Sequence, residues 1–205
     1  MMKFDKMLEN GIVMKKEKVI LVDCDGVMLD WVYAFDCWME SHGHVKTDDT
    51  VYDVSQAYGI DKAVGKQLVR TFNESAAIGF LPPLRDAVYY LKQLHKKGGY
   101  VFHCITSLSL DPHAQKLRKK NLENLFGEHL FEKFVFLDCG ADKDDALMEY
   151  QGTDCFWIED KEENARVGTA LGLNSILIAH ESNANVTDIP RYAKWKQVYN
   201  HIMDC

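Results

Sequence analysis

A chain of 205 residues with 47% hydrophobic content can bury one substantial core and a small accessory lobe, which excludes two large independent domains. Its formal charge of -7 argues against broad binding to nucleic acid polymers, which takes a basic face, so any positive site has to be local. No apolar stretch is long enough for a membrane span, and six cysteines without a Cys-x-x-Cys pair argue against a disulfide framework or a zinc site.

Taken in chain order, residues 1–17 are charged and lack the apolar centre of a secretory signal, which gives the expectation of a soluble, cytoplasmic protein; Phe4, Met7 and Leu8 fit a short helix ahead of Gly11. Val19 to Cys24 is the first of five short apolar runs, followed by Tyr100 to Ile105, Phe134 to Asp138, Cys155 to Ile158 and Ser175 to Ala179. They read as buried strands of a parallel sheet. The first run ends in Asp23-Cys24-Asp25-Gly26-Val27. Carboxylates two apart on a strand point to opposite faces, but Gly26 lets the backbone turn so that both reach one pocket. Their repulsion then calls for a cation, most simply a hard divalent ion with oxygen ligands. The competing reading of this string alone is an acidic turn that caps the next helix.

From Met28 to Phe80 no convincing strand occurs, far beyond the roughly 2–6 residues usual between strand and helix, so a separate helical cap is expected over the carboxyl ends of the strands. Trp31, Phe35 and Trp38 lie at helical spacing, as do Val64, Leu68 and Phe72. Most of these aromatics read as cap core, with Trp31, Tyr33 or Phe35 free to stack on a flat ligand. Lys46, Lys62, Lys66 and Arg70 can place one positive charge near a substrate, although a solvated helix face suits most of them. His42 and His44 have no matching ligand pair at zinc spacing and read as ordinary polar residues.

Beyond the cap, Leu84, Val88, Leu91 and Leu94 form an apolar stripe that Gly98-Gly99 ends. Asp111-Pro112 opens a helix with Ala114, Leu117 and Leu125 inward and Lys116, Arg118, Lys119 and Lys120 on a solvated face. Lys143 to Tyr150 and Lys161 to Leu171 are shorter helices, and Asp188-Ile189-Pro190 starts a terminal one carrying Tyr192, Trp195, Tyr199 and Ile202 on one side. The expected architecture is α/β: a doubly wound, Rossmann-like, mostly parallel five-stranded sheet with a small helical cap inserted after the first strand. Residues 18–30 and 81–205 form its core, 31–80 the cap and 1–17 an extension.

Each of the first four strands ends in groups that phosphoryl transfer uses. The first supplies Asp23 and Asp25, and the second Thr106-Ser107, a hydroxyl and an amide for a phosphoryl oxygen. Lys143 follows the third within Ala-Asp-Lys-Asp-Asp, and Glu159-Asp160 ends the fourth. Each has a plainer role as a cap or helix start; their joint occurrence at successive strand ends is what points to chemistry.

On these residues the chain resembles the haloacid dehalogenase-like hydrolase superfamily, whose four motifs match Asp23-Cys24-Asp25-Gly26-Val27, Thr106-Ser107, Lys143 and Ile158-Glu159-Asp160. The resemblance covers residues 18 to about 180, and an Asp at position 25 is the mark of its phosphatases and phosphomutases. It implies that Asp23 is the nucleophile that forms an aspartyl-phosphate and Asp25 the general acid and base. Mg²⁺ would be held by the Asp23 carboxylate, the Asp25 carbonyl and Asp160, with Glu159 bound directly or through water. Lys143, Thr106 and Ser107 would hold the phosphoryl oxygens. Asp30 fits the pattern of capped members and reads chiefly as a helix cap. The Asp-Gly-Val-Met-Leu-Asp-Trp continuation and the stretch from Thr106 to Gly127 resemble the 5′(3′)-deoxyribonucleotidase-like branch. The expected substrate is therefore a small phosphomonoester such as a nucleoside or deoxynucleoside monophosphate. Phosphoglycolate or sugar-phosphate hydrolysis, a phosphomutase and a non-catalytic binding module are the alternatives.

Overall fold

In the computed structural model, residues 18–205 are described except Thr50 and Tyr52, so the short helix expected over Phe4 to Leu8 lies outside the described residues. Six strands form one all-parallel sheet: β1 (Lys18–Val22), β2 (Tyr100–Ser107), β3 (Phe131–Leu137), β4 (Phe156–Glu159), β5 (Asn174–Ile178) and β6 (Arg191–Tyr192). Their order is β3-β2-β1-β4-β5-β6. Parallel strands with helices on both faces are buried on both, which is why β1 and β5 read as unbroken apolar runs.

The helices are α1 (Trp31–Ser41), α2 (Val54–Tyr58), α3 (Lys62–Asn73), α4 (Ala87–Gln93), α5 (Pro112–Phe126), α6 (Asp144–Met148), α7 (Glu162–Ala170) and α8 (Trp195–Asp204). Short polar side chains start several of them by satisfying free N–H groups: Asp30 accepts from Tyr33 N, Asp61 from Ala63 N, and Asp111 from Ala114 N ahead of Pro112. Between residues 31 and 80 the described residues hold helices and no strand. Here α1 packs on α3 through rings, Trp31 stacking on Phe35 at 4.6 Å and Phe72 meeting Phe35 edge-on at 5.3 Å. Phe35 and Phe72 are fully buried, and truncating a core aromatic of this kind costs roughly 3–5 kcal/mol.

Three sequence expectations change. The sheet has six strands rather than five, because the two-residue β6 is too short to show a pattern, and it takes Tyr192 out of the terminal helix, which begins at Trp195. Val64 is exposed, leaving Phe72 and the half-buried Leu68 to hold α3. Arg118, expected on a solvated face, is fully buried.

Candidate active site

Strand register delivers the site. Val22 is level with Cys104 on β2 and Ile158 on β4, so Asp23, Thr106-Ser107 and Glu159-Asp160 emerge along one carboxyl edge. That edge lies where the strand order reverses between β1 and its two neighbours, the crevice in which open α/β sheets bind ligands.

After Val22 the chain folds back on itself. Met28 N and Leu29 N donate to the Cys24 carbonyl at 2.8 and 2.9 Å, and Gly26 N donates to the Leu29 carbonyl at 2.9 Å. Gly26 has φ of +73°, and a Cβ there would lie 2.3 Å from Asp160 Oδ2. Only a glycine lets this turn sit against the end of β4. Gly26→Ala is expected to cost about 1–3 kcal/mol, read as a lower urea midpoint. An unchanged midpoint would mean that the turn and Asp160 yield without strain.

Lys143, at the start of α6, is 2% exposed and stands between two carboxylates. It donates to Glu159 Oε1 at 2.8 Å, and its Nζ is also 2.8 Å from Asp23 Oδ1, at an angle too oblique for a hydrogen bond. Burial opposes its charge, but Asp23 and Glu159 outweigh burial and hold the lysine protonated. Glu159 is fully enclosed, with Oε1 also accepting from Asn164 Nδ2 at 2.6 Å and Oε2 accepting from Asp160 N at 2.5 Å and Lys161 N at 2.9 Å. Burial would raise its pKa, yet Lys143 and the Asp160 and Lys161 donors bring it down to about 2. With both oxygens engaged, Glu159 is placed to fix Lys143.

Thr106 is 1% exposed, and its hydroxyl has no hydrogen-bond partner among the described residues. A buried orphan hydroxyl costs about 1–3 kcal/mol unless a ligand satisfies it. Ser107 anchors its own hydroxyl to the Ala141 carbonyl at 2.8 Å and lines the same cavity.

Asp25 is held from below. Arg118 Nη1 donates to Asp25 Oδ1 at 2.7 Å and contacts Cys24 Sγ at 2.9 Å, while its Nε and Nη2 have no partner among the described residues. Burial raises the Asp25 pKa and Arg118 opposes it, leaving it above the ordinary carboxylate value.

Asp160 has no ion pair of its own among the described residues, and burial with the Glu159 and Asp23 charges pushes it well above the carboxylate range. Asp23 is likewise pushed up to about 7, by burial first and then by Glu159 and Asp25, against Lys143. With all four ionised, Asp23, Asp25, Glu159 and Asp160 would set four negative charges against two positive ones on Lys143 and Arg118, an excess of two that disfavours full ionisation without a cation. Carboxylate oxygens of Asp23, Glu159 and Asp160 lie within 4.8 Å of one another, and the Asp25 carbonyl accepts no hydrogen bond from the described residues. An all-oxygen donor set with that surplus fits a hard divalent cation.

No protein-family model matches the chain. A stretch of 114 residues is 28% identical to an uncharacterized 32.4 kDa protein of Enterobacteria phage T4, covering 52% of this chain and 40% of that one. The chain thus spans about two fifths of the length of the curated relative that it matches. Solved structures align over nearly the whole chain. A haloacid dehalogenase-like hydrolase family protein from Streptococcus pneumoniae superposes with a TM-score of 0.63 at 16% identity, over 91% of this chain and 98% of that one. The HAD-hydrolase YfnB of Bacillus subtilis, bound to magnesium, gives 0.58 at 17% over 93% and 100%. CbbY of Rhodobacter sphaeroides, in complex with phosphate, gives 0.57 at 14% over 89% and 96%. The chain has the haloacid dehalogenase-like fold.

Within that haloacid dehalogenase-like fold, Asp23, Asp25, Thr106, Ser107, Lys143, Glu159 and Asp160 all line one cavity of about 460 Å³, as do Trp31 and Phe35. Tyr33 does not; it is 60% exposed, on the outer face of α1. Among the four cap cations, Lys46 lines the cavity, Arg70 pairs with Asp138 at 3.0 Å and Glu74 at 3.2 Å, and Lys62 and Lys66 are exposed. Sequence reading missed Arg118, Asn164 and His180, whose Nε2 donates to the Gly26 carbonyl at 2.7 Å. For Arg118 a signal existed: Ala114, Arg118, Leu122 and Phe126 recur every four residues along the buried face of α5. Asn164 and His180 carry no such mark: Asn164 acts through a single side-chain hydrogen bond to Glu159, and His180 reaches Gly26 from 154 residues away.

Proposed function

We propose that the chain is a Mg²⁺-dependent phosphomonoester hydrolase working through an aspartyl-phosphate on Asp23, with a small phosphorylated metabolite, a nucleoside or deoxynucleoside monophosphate foremost, as substrate. The observation that carries this reading is the pairing of Asp23 with a buried Lys143 beside the partnerless Thr106 hydroxyl, in one cavity with Asp160. Residues 31–80 serve as the cap, and 18–30 with 81–205 as the catalytic body.

An Asp23 oxygen attacks phosphorus as the bond to the leaving oxygen breaks, and Asp25 delivers its proton to the departing alkoxide. Water then attacks the aspartyl-phosphate, Asp25 takes up the water's proton, and phosphate leaves with the Asp23 carboxylate restored. Lys143, Thr106 and the Ser107 amide offset charge on the phosphoryl oxygens, while Glu159 and Asn164 keep Lys143 in place. Asp23, Asp160 and the Asp25 carbonyl would hold Mg²⁺, which when bound neutralises part of the phosphoryl charge.

Protein stripped with EDTA is expected to release no phosphate from p-nitrophenyl phosphate. Added Mg²⁺ should restore release and raise the melting temperature by roughly 4 °C or more, as occupancy of a folded-state site requires. Full activity in EDTA would remove the metal from the reading; silence toward every ester with Mg²⁺ present would remove hydrolysis itself.

A further inference from the structure

The cavity extends well past the catalytic groups. At about 460 Å³ it is in the range of sites for drug-sized molecules and far exceeds what a phosphoryl group alone fills. Part of its wall is apolar, formed by Trp31, Phe35, Val51, Val54, Ala57 and Val69. The same cavity is lined by a polar cluster built entirely from residues 31–80. Tyr58, 7% exposed, donates its hydroxyl to Asp36 Oδ1 at 2.6 Å, and Lys46 Nζ lies 2.9 Å from Asp36 Oδ2 and 3.4 Å from Asp49 Oδ1.

Two consequences follow from charge and valence. Lys46 is balanced by two carboxylates, so the cluster has a net charge of -1 and no spare cation for a second anion. Lys143 is committed to Asp23 and Glu159, and Lys161, also in the lining, follows Asp160 in the chain. Asp36 meanwhile has one donor on each oxygen among the described residues, and a carboxylate accepts about four hydrogen bonds, so acceptor capacity remains. Its position is fixed by both donors, which makes it a preorganised acceptor.

We propose that Asp36, held by Tyr58 and Lys46, is the specificity-determining carboxylate for the leaving group: it accepts hydrogen bonds from a neutral, ring-bearing alcohol with N–H donors, lodged between the apolar walls, and it turns away phosphomonoesters that carry a second anion. This rests on the hydrolase reading and narrows it. An amino-bearing nucleoside suits the site; phosphoglycolate and sugar bisphosphates do not.

The test compares kcat/KM for 2′-deoxycytidine 5′-monophosphate, 2-phosphoglycolate and p-nitrophenyl phosphate, whose ring lacks donors, in the wild type and in Asp36→Asn. The wild type should favour the nucleotide over phosphoglycolate by about 100-fold or more. In Asp36→Asn, which can still accept from Tyr58, the ratio of nucleotide to p-nitrophenyl phosphate kcat/KM should fall about 10- to 100-fold, mainly through KM. A ratio unchanged within twofold, or equal use of phosphoglycolate and nucleotide by the wild type, overturns the assignment of Asp36 while leaving the hydrolase standing. If the wild type with Mg²⁺ hydrolyses none of the three esters, the hydrolase reading falls and this assignment with it. The wild-type comparison decides the question even if Asp36→Asn fails to fold.

Discussion

Asp23→Asn is expected to lower phosphate release by about 10⁴-fold or more, since removing a covalent nucleophile leaves only binding and charge stabilisation by the remaining groups. The same variant should melt at or above the wild-type temperature in metal-free buffer at neutral pH. Asp23 is 6% exposed and faces Glu159 and Asp25 as well as Lys143, and its pKa, pushed up to about 7, marks an ionised form that the fold disfavours. An amide there relieves like-charge repulsion, while Lys143 keeps its hydrogen bond to Glu159. Loss of activity together with higher metal-free stability is the signature of a functional residue placed against the interest of the fold. If Asp23→Asn instead kept phosphate release within tenfold of the wild type, Asp23 would not be the nucleophile.

The parts of the fold legible in the sequence are those in which burial imposes a pattern. Five strands show as apolar runs because a parallel sheet hides both faces, and Asp111-Pro112 marks α5 because cap and first-turn chemistry are local. The motif residues are legible for a related reason: they stand at strand ends, so finding the strands finds them. What escapes is either too short or too distant. β6 is held by its pairing with β5 and by Trp195 Nε1, on the adjoining α8, donating to the Val27 carbonyl at 2.8 Å, contacts that no local run encodes. The end of α4 continues into a π turn at Leu94–Gly98, and Leu84 is buried ahead of the helix rather than within it.

The division of labour among the acids was only partly readable. Glu159 and Asp160 are adjacent in sequence and look equivalent, yet strand direction turns Glu159 inward to Lys143 and Asn164 and leaves Asp160 beside Gly26 and Asp23. Glu159 belongs to the carboxylate group of Asp23 and Asp160, and donors on both of its oxygens tie it to Lys143 and Asn164 as well. The aromatics of residues 31–80 divide in the same way. Trp31 and Phe35 belong both to the packed cluster and to the cavity wall: stacked on each other, each meets Phe72 at a steep angle and each lines the cavity.

Arg118 carries the second large effect. Replacing it with methionine removes the guanidinium bound to Asp25 and leaves that carboxylate partly buried without a cation, a loss of about 3–5 kcal/mol for a broken buried pair. Stability alone does not make Arg118 part of the chemistry, so the informative measurement is the dependence on leaving group. An alkyl phosphate expels a strongly basic alkoxide that needs a proton from Asp25, whereas p-nitrophenolate departs without one. If Arg118 aims the Asp25 carboxyl at the leaving oxygen, Arg118→Met should lower kcat for an alkyl monophosphate by about 10²-fold or more and for p-nitrophenyl phosphate by less than about tenfold, the range general acid catalysis supplies. Arg118→Lys, which keeps the charge but not the planar donor pair, should fall between. A purely structural arginine would depress both substrates alike, because partial unfolding removes enzyme without regard to the ester. Parallel losses would therefore reduce Arg118 to a packing role, and a widening gap between the two esters would make it the residue that positions the acid.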